Sequence, residues 1–267
     1  MINWRTFSKV ALAGGLAAAL LSACASAQGS SSRQAGKVAG GVHNVVLVHG
    51  SYADGSSWSD VIERLQAAGM KVTSVQNPLT SLADDVAATQ RALAGQDGPT
   101  VLVAHSYAGT VISQAGDAPN VVGLVYVAAR GPDAGEDFPA LAARFPAPPA
   151  SAGLVKSGGF EQLSQTAFLN DFAGGVPRVR ALALYAAQGP ISTSLFSDRT
   201  TVAAWRTKPT WYAVSKQDRT IAPELERFLA QRMKATTVEL KSSHLSIVTQ
   251  PGAITKLILD AAKESHS

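Results

Sequence analysis

Val101-Leu102-Val103-Ala104-His105-Ser106-Tyr107-Ala108-Gly109 decides the fold. Its apolar opening reads as a strand buried on both faces, and it runs straight into a serine followed by small residues and a helix-period segment. In such a strand-to-helix turn the serine takes a strained backbone conformation and presents its hydroxyl at the carboxyl edge of a sheet. Small neighbours are needed because the two backbones approach closely. The usual pattern is G-x-S-x-G, and here Ala104 and Ala108 stand at the glycine positions, with Gly109 immediately after. Taken alone, the motif is no more than a serine at a strand end. Its surroundings raise it.

Outward from this turn, short apolar runs alternate with segments of helical period, the signature of a largely parallel sheet covered by helices on both faces. Residues 45–48, 72–75, 100–104, 121–127, 210–214 and 236–240 are expected as strands. Trp58, Val61, Ile62 and Leu65 recur at helical spacing, as do Leu225, Phe228, Leu229 and Met233. Ser81 is placed to cap a helix with Asp84 and Asp85 in its first turn, and Pro223 stands where a first helical residue belongs. Residues 131–205 break the alternation with short helical patterns at 138–145, 160–172 and 179–187 separated by Pro and Gly. They are expected to form a helical cap inserted between two sheet strands, within one domain over 42–267.

A serine alcohol needs a base, and the base needs an orienting group. Of five histidines, His43 precedes the first strand, His49 ends it, His105 adjoins the serine and is expected to point to the other side of the turn, and His266 lies in the tail. His244, in a loop between a short strand and the final helix, is where a serine-acid-histidine order places the base. Asp218, at the carboxyl end of its strand, is the favoured acid, with Asp133 as competitor. The bland reading of Asp218 is a helix cap near 220–223. Two backbone donors are required for a developing oxyanion, and they are expected from the amides of Tyr107 and, after the first strand, Ser51. No His-x-x-x-His or cysteine pair is present, so no metal or other cofactor is expected.

Residues 1–23 read as a signal peptide: Arg5 and Lys9 form its basic end and residues 10–21 its apolar stretch. Leu21-Ser22-Ala23-Cys24 resembles the lipobox of bacterial lipoproteins, which makes Cys24, the only cysteine, the expected lipidation site. A competing cut follows Ala25-Ser26-Ala27, which would leave the thiol in the discarded segment. Residues 24–41 are expected to be a flexible tether. Both routes export the chain, to a bacterial periplasm, a membrane anchor through Cys24, or the medium. Removing Arg5 and Lys9 lowers the net charge from +4 to +2. With no basic run elsewhere, a nucleic-acid partner is not expected.

HGSYADGSSW at 49–58, AHSYAGTVI at 104–112, FLNDFAGGVP at 168–177, KPTWYAVSKQD at 208–218 and SSHLS at 242–246 together resemble the serine α/β-hydrolases, over essentially all of 42–264. Within that superfamily they are similar to the compact carboxylesterases of the plant methylesterase and hydroxynitrile lyase group. The resemblance implies an α/β-hydrolase fold with a helical cap after the sixth strand, a triad of Ser106, Asp218 and His244, and an oxyanion hole of Ser51 and Tyr107. It implies hydrolysis of small hydrophobic carboxylic esters through an acyl-enzyme, without a cofactor. The lyases of that group carry threonine in place of Gly50 and lysine where this chain has Leu245, which favours esters over cyanohydrins. Two other readings stay open. One is cleavage of C–C or C–N bonds on the same scaffold, and the other is a catalytically silent, tethered binding module.

Overall fold

Six strands whose residues are mostly apolar assemble edge to edge into one parallel sheet. In chain order they are β1 (Asn44–Val48), β2 (Lys71–Val75), β3 (Thr100–His105), β4 (Val121–Val127), then, after an insertion, β8 (Thr210–Ser215) and β9 (Thr236–Leu240). The spatial order is β2-β1-β3-β4-β8-β9, every neighbouring pair parallel. Every residue of β1, β3 and β8 is buried, whereas the edge strands β2 and β9 expose Lys71, Thr236, Thr237 and Glu239 to solvent. The continuous apolar runs therefore mark the centre of the sheet, as burial on both faces requires. The structure, a computed structural model, describes residues 41–265. The expected signal peptide, tether, Cys24 and His266 lie outside the described residues, apart from the tether's last position.

The helices obey the capping chemistry of their sequences. α1 (Ser59–Ala67) is followed by α2 (Leu82–Ala94), whose N-cap Ser81 accepts a hydrogen bond from the Asp84 amide, with Asp84 and Asp85 in the first turn. α3 (Ala108–Ala115) springs from the serine turn. Beyond the insertion, α7 (Pro223–Arg232) begins on Pro223, and the chain closes with the short α8 (Ser246–Thr249) and α9 (Pro251–Glu264). α1 packs against α9 as one layer and α2 against α3 as another. Trp58, Leu65, Leu102, Ile112 and Leu124 are fully buried between sheet and helices. Among the described residues no helix is long and apolar enough to cross a membrane.

The insertion leaves the sheet after β4, the fourth strand of the described chain and not the sixth, and returns at β8. It holds α4 (Phe138–Ala142), β5 (Leu154–Ser157), β6 (Phe160–Leu163), α5 (Gln165–Ala167), a π-helical turn at Phe168–Phe172, α6 (Arg178–Ala186) and β7 (Ile191–Ser192). It is not purely helical, because β5, β6 and β7 form a small antiparallel sheet. The helical pattern expected over 160–172 therefore breaks into a strand followed by helical turns. The cause is local: Gly158 and Gly159 take φ of +58° and +82°, the left-handed pair that a two-residue hairpin demands.

Candidate active site

Ser106 sits where β3 ends and α3 begins, with φ at +58°, in the left-handed region that a residue with a side chain rarely adopts. Hydrogen bonds on both sides hold it there. Its amide donates to the Val127 carbonyl (3.1 Å), and its carbonyl accepts from the amides of Gly109 (3.1 Å) and Arg130 (2.9 Å). The two alanines that replace the expected glycines are fully buried, so the turn has room for both methyl groups. The position with no room is Gly109, where a Cβ would lie 1.8 Å from the Arg130 carbonyl oxygen. The requirement for a bare backbone falls there.

The carboxyl ends of β3, β8 and β9 converge, and they bring Ser106, Asp218 and His244 together although 138 positions separate serine from histidine. His244 Nε2 lies 2.8 Å from Ser106 Oγ, and His244 Nδ1 lies 2.5 Å from Asp218 Oδ2. The other carboxylate oxygen of Asp218 accepts from the amides of Thr220 (2.6 Å) and Ile221 (2.9 Å). It therefore caps the turn before α7 and not the helix itself, whose N-cap is Ala222, so the bland reading of a helix cap does not hold, and the same bonds aim Oδ2 at the imidazole. An ionised Asp218 accepts only, so Nδ1 carries the ring proton and Nε2 is left to accept from the serine hydroxyl. Asp133, the competing acid, instead pairs with Arg206, whose Nε donates to its Oδ1 at 2.7 Å. That pair lies at the start of the cap, away from His244.

Several groups around this trio escaped the sequence reading. Glu226 of α7 is completely buried and accepts from the Ser215 amide (3.0 Å). Burial, and then the charge of Asp218, push its carboxyl well above the usual range, which favours its neutral form. His105 does not bond to Ser106. Its ring lies 4.7 Å from that of His244 and its Nε2–H donates to the His244 carbonyl (3.0 Å). Burial and the neighbouring His244 hold its pKa well below the usual histidine value, so it is a neutral support under the His244 loop. His49 anchors the other side: its Nε2 accepts from the Asn77 amide (2.9 Å), which leaves Nδ1–H to donate to the Gly50 carbonyl (2.9 Å). That pair fixes the turn carrying Ser51.

A cavity of about 200 Å³ opens over Ser106, lined by Ser51, Tyr52, Tyr107, Arg130 and Phe196 with aliphatic residues from the cap. Ser51 and Tyr107, the expected oxyanion donors, thus border the space beside the serine hydroxyl. Of the cap phenylalanines 138, 145, 160, 168 and 172, none lines this cavity; Phe168 and Phe172 are buried in the cap core. Phe196 is the aromatic wall, and no periodicity in the sequence marks it. Among the described residues no group of three His, Cys, Asp or Glu side chains is arranged to hold a metal ion.

Comparison with known proteins bears on the family and the fold. The family model described as "Alpha/beta hydrolase family" matches residues 45–257. No curated protein matches. Among solved structures, polyneuridine aldehyde esterase is similar with a TM-score of 0.72 at 18% identity, over 82% of this chain and 98% of that one. The methylesterase MES16 from Arabidopsis gives 0.69 at 18% identity, over 84% and 100%. A pyrethroid hydrolase from Sphingobium faniae JZ-2 gives 0.68 at 21% identity, over 83% and 98%.

Proposed function

The chain belongs to the alpha/beta hydrolase family, and from that premise we propose that it hydrolyses carboxylic esters through an acyl-enzyme formed on Ser106. The observation that carries this reading is the continuous hydrogen-bonded line from Asp218 through His244 to Ser106, ending at the floor of a cavity. Ser106 Oγ attacks the ester carbonyl while its proton passes to His244 Nε2, and Asp218 balances the imidazolium that results. The carbonyl oxygen becomes an oxyanion and accepts from the Ser51 and Tyr107 amides, the second at the start of α3 where the helix favours negative charge. Collapse expels the alcohol, which takes the proton from His244. Water then gives its proton to His244 and attacks the acyl carbon, and the acid leaves with Ser106 restored.

Each named neighbour is an esterase or a hydrolase by name, which supports the same reaction class for this chain. The test is covalent labelling by a fluorophosphonate probe beside turnover of short p-nitrophenyl esters, amides and cyanohydrins. The reading expects labelling and ester turnover in the native chain, and loss of both in Ser106→Ala, with turnover reduced by about 10⁶-fold. A folded protein that neither labels nor turns over an ester is instead the silent binding module.

A further inference from the structure

Arg130 places a guanidinium in the wall of the cavity that holds Ser106, and it is largely buried. Its position is fixed by the nucleophile turn: the Arg130 amide bonds the Ser106 carbonyl (2.9 Å), and the preceding residue, Ala129, is clamped at both its amide (3.1 Å) and its carbonyl (2.5 Å) by the Tyr212 hydroxyl. The guanidinium carbon lies 4.1 Å from the centre of the Phe196 ring and 5.1 Å from that of Phe138, and Nη1 reaches the Phe196 carbonyl at 3.5 Å. These contacts orient the group without neutralising it. Among the described residues no carboxylate comes within ion-pair distance of it.

The groups that face Arg130 do not supply a counter-charge at contact. Glu161 acts on it from a distance and already accepts from the Tyr52 hydroxyl (3.0 Å) and pairs with Lys156 (3.5 Å). The phenols of Tyr52 and Tyr107 are neutral, since burial and the neighbouring carboxylates Glu161 and Asp85 push both of them up. Burial draws the Arg130 guanidinium down to about 10, which leaves it charged at neutral pH. A charge held out of water with no partner is costly, and a planar carboxylate offers a guanidinium two parallel hydrogen bonds.

We propose that Arg130 receives a second, ionised carboxylate on the substrate, so that the esters this site takes are those carrying a free carboxylate elsewhere in the molecule. Leu154, Leu163 and Ile221 line the same cavity and give the carbon skeleton between the two ends an apolar wall. The reacting end of this inference rests on the serine-hydrolysis reading; the anion-binding end does not.

Three ester pairs, each matched but for the charge, test it by proton release: monomethyl adipate against methyl hexanoate, monomethyl glutarate against methyl pentanoate, and 4-acetoxybenzoate against 4-acetoxytoluene. The native chain is expected to favour the charged member of at least one pair by tenfold or more in kcat/KM. That ratio falls about tenfold or more in Arg130→Met, is partly kept in Arg130→Lys, and declines with added salt. A binding arm uses Ser106→Ala protein and calorimetry with monomethyl adipate, monomethyl glutarate and 4-acetoxybenzoate, with binding expected to vanish in the Ser106→Ala, Arg130→Met double variant. Binding that depends on Arg130 in a chain that turns over no ester keeps the anion site and removes the hydrolytic reading. A ratio equal in native and Arg130→Met chains, with both rates lowered together, makes Arg130 a mere strap for Phe196 and overturns the proposal, as does preference for the neutral member of every pair.

Discussion

Ser106 is held at a φ of +58°, and that strain can be measured by comparing Ser106→Gly with Ser106→Ala. Both variants lose the hydroxyl, and with it the bond to His244 Nε2, so neither retains the proposed nucleophile. They differ in how the backbone meets the left-handed region, in the freedom of the unfolded chain and in one Cβ. A residue with a Cβ pays roughly 1–2 kcal/mol there, which glycine does not. Glycine in turn brings a more mobile unfolded chain, which returns about 0.4–1 kcal/mol. The Cβ of residue 106 borders the cavity, so little packing is lost with it. The balance leaves Ser106→Gly about 1 kcal/mol more stable than Ser106→Ala, and in a domain of this size that raises Tm by about 2–4 °C. Calorimetry or urea melts of the two variants side by side provide the assay. If the glycine variant melts at or below the alanine variant, the turn stores no strain, and the bonds from Ser106 to Val127, Gly109 and Arg130 hold a relaxed backbone instead.

Glu226 is neutral in the folded chain and ionises near 4.5 once unfolded, so folding takes up a proton. Its contribution is full at low pH, and native stability falls as pH rises from about 4.5, by ~1.4 kcal/mol per unit until the buried carboxyl ionises. Glu226→Gln removes that slope, so denaturant melts at about pH 5 and about pH 7 should show the variant gaining on the native chain as pH rises. A constant gap between them counts against a neutral Glu226. Asp218→Asn keeps the bulk of the side chain but removes the charge that fixes the His244 tautomer, and ester turnover should drop by about 10⁴-fold with the fold intact by circular dichroism. Gly109→Ala sets a methyl 1.8 Å from a backbone oxygen, so a loss of about 1–3 kcal/mol in melts is expected, together with reduced turnover. Cys24→Ser tests the lipid anchor proposed from the sequence: expressed in a bacterium that lipidates such cysteines, the native chain should fractionate with membranes and the variant should not.

What the sequence reveals follows the range of the interactions involved. The six sheet strands are local, since a run such as Val101-Leu102-Val103-Ala104 needs no knowledge of its neighbours to read as buried. His244 and Asp218 are legible through their places after strands, because the sheet brings carboxyl ends to one edge whatever the loops do. The β5–β6 hairpin is legible in principle too: Gly158-Gly159 between residues 154–157 and 160–163 is a hairpin signal, and the aromatic spacing of Phe160, Phe168 and Phe172 masks it. Glu226, His105 and Arg130 are different. Each is defined by what it faces in the fold and not by its immediate neighbours, such as Ser215, 11 positions back, and Asp218 for Glu226, or the Phe196 ring, 66 positions on, for Arg130. Nothing in the neighbourhoods of Glu226 and Arg130 distinguishes them from a solvated charge, and the place of His105 beside the serine does not disclose its bond to the His244 carbonyl.

The order in which β3, β8 and β9 deliver their side chains also governs when the proposed nucleophile gains its base. Synthesis proceeds from the amino end, so a nascent chain acquires Ser106 138 positions before it acquires His244. Until the last edge strand docks beside β8, the hydroxyl faces no base and is as inert as any serine alcohol. On the proposed mechanism, copies whose β9 has not yet docked are therefore harmless to esters around them.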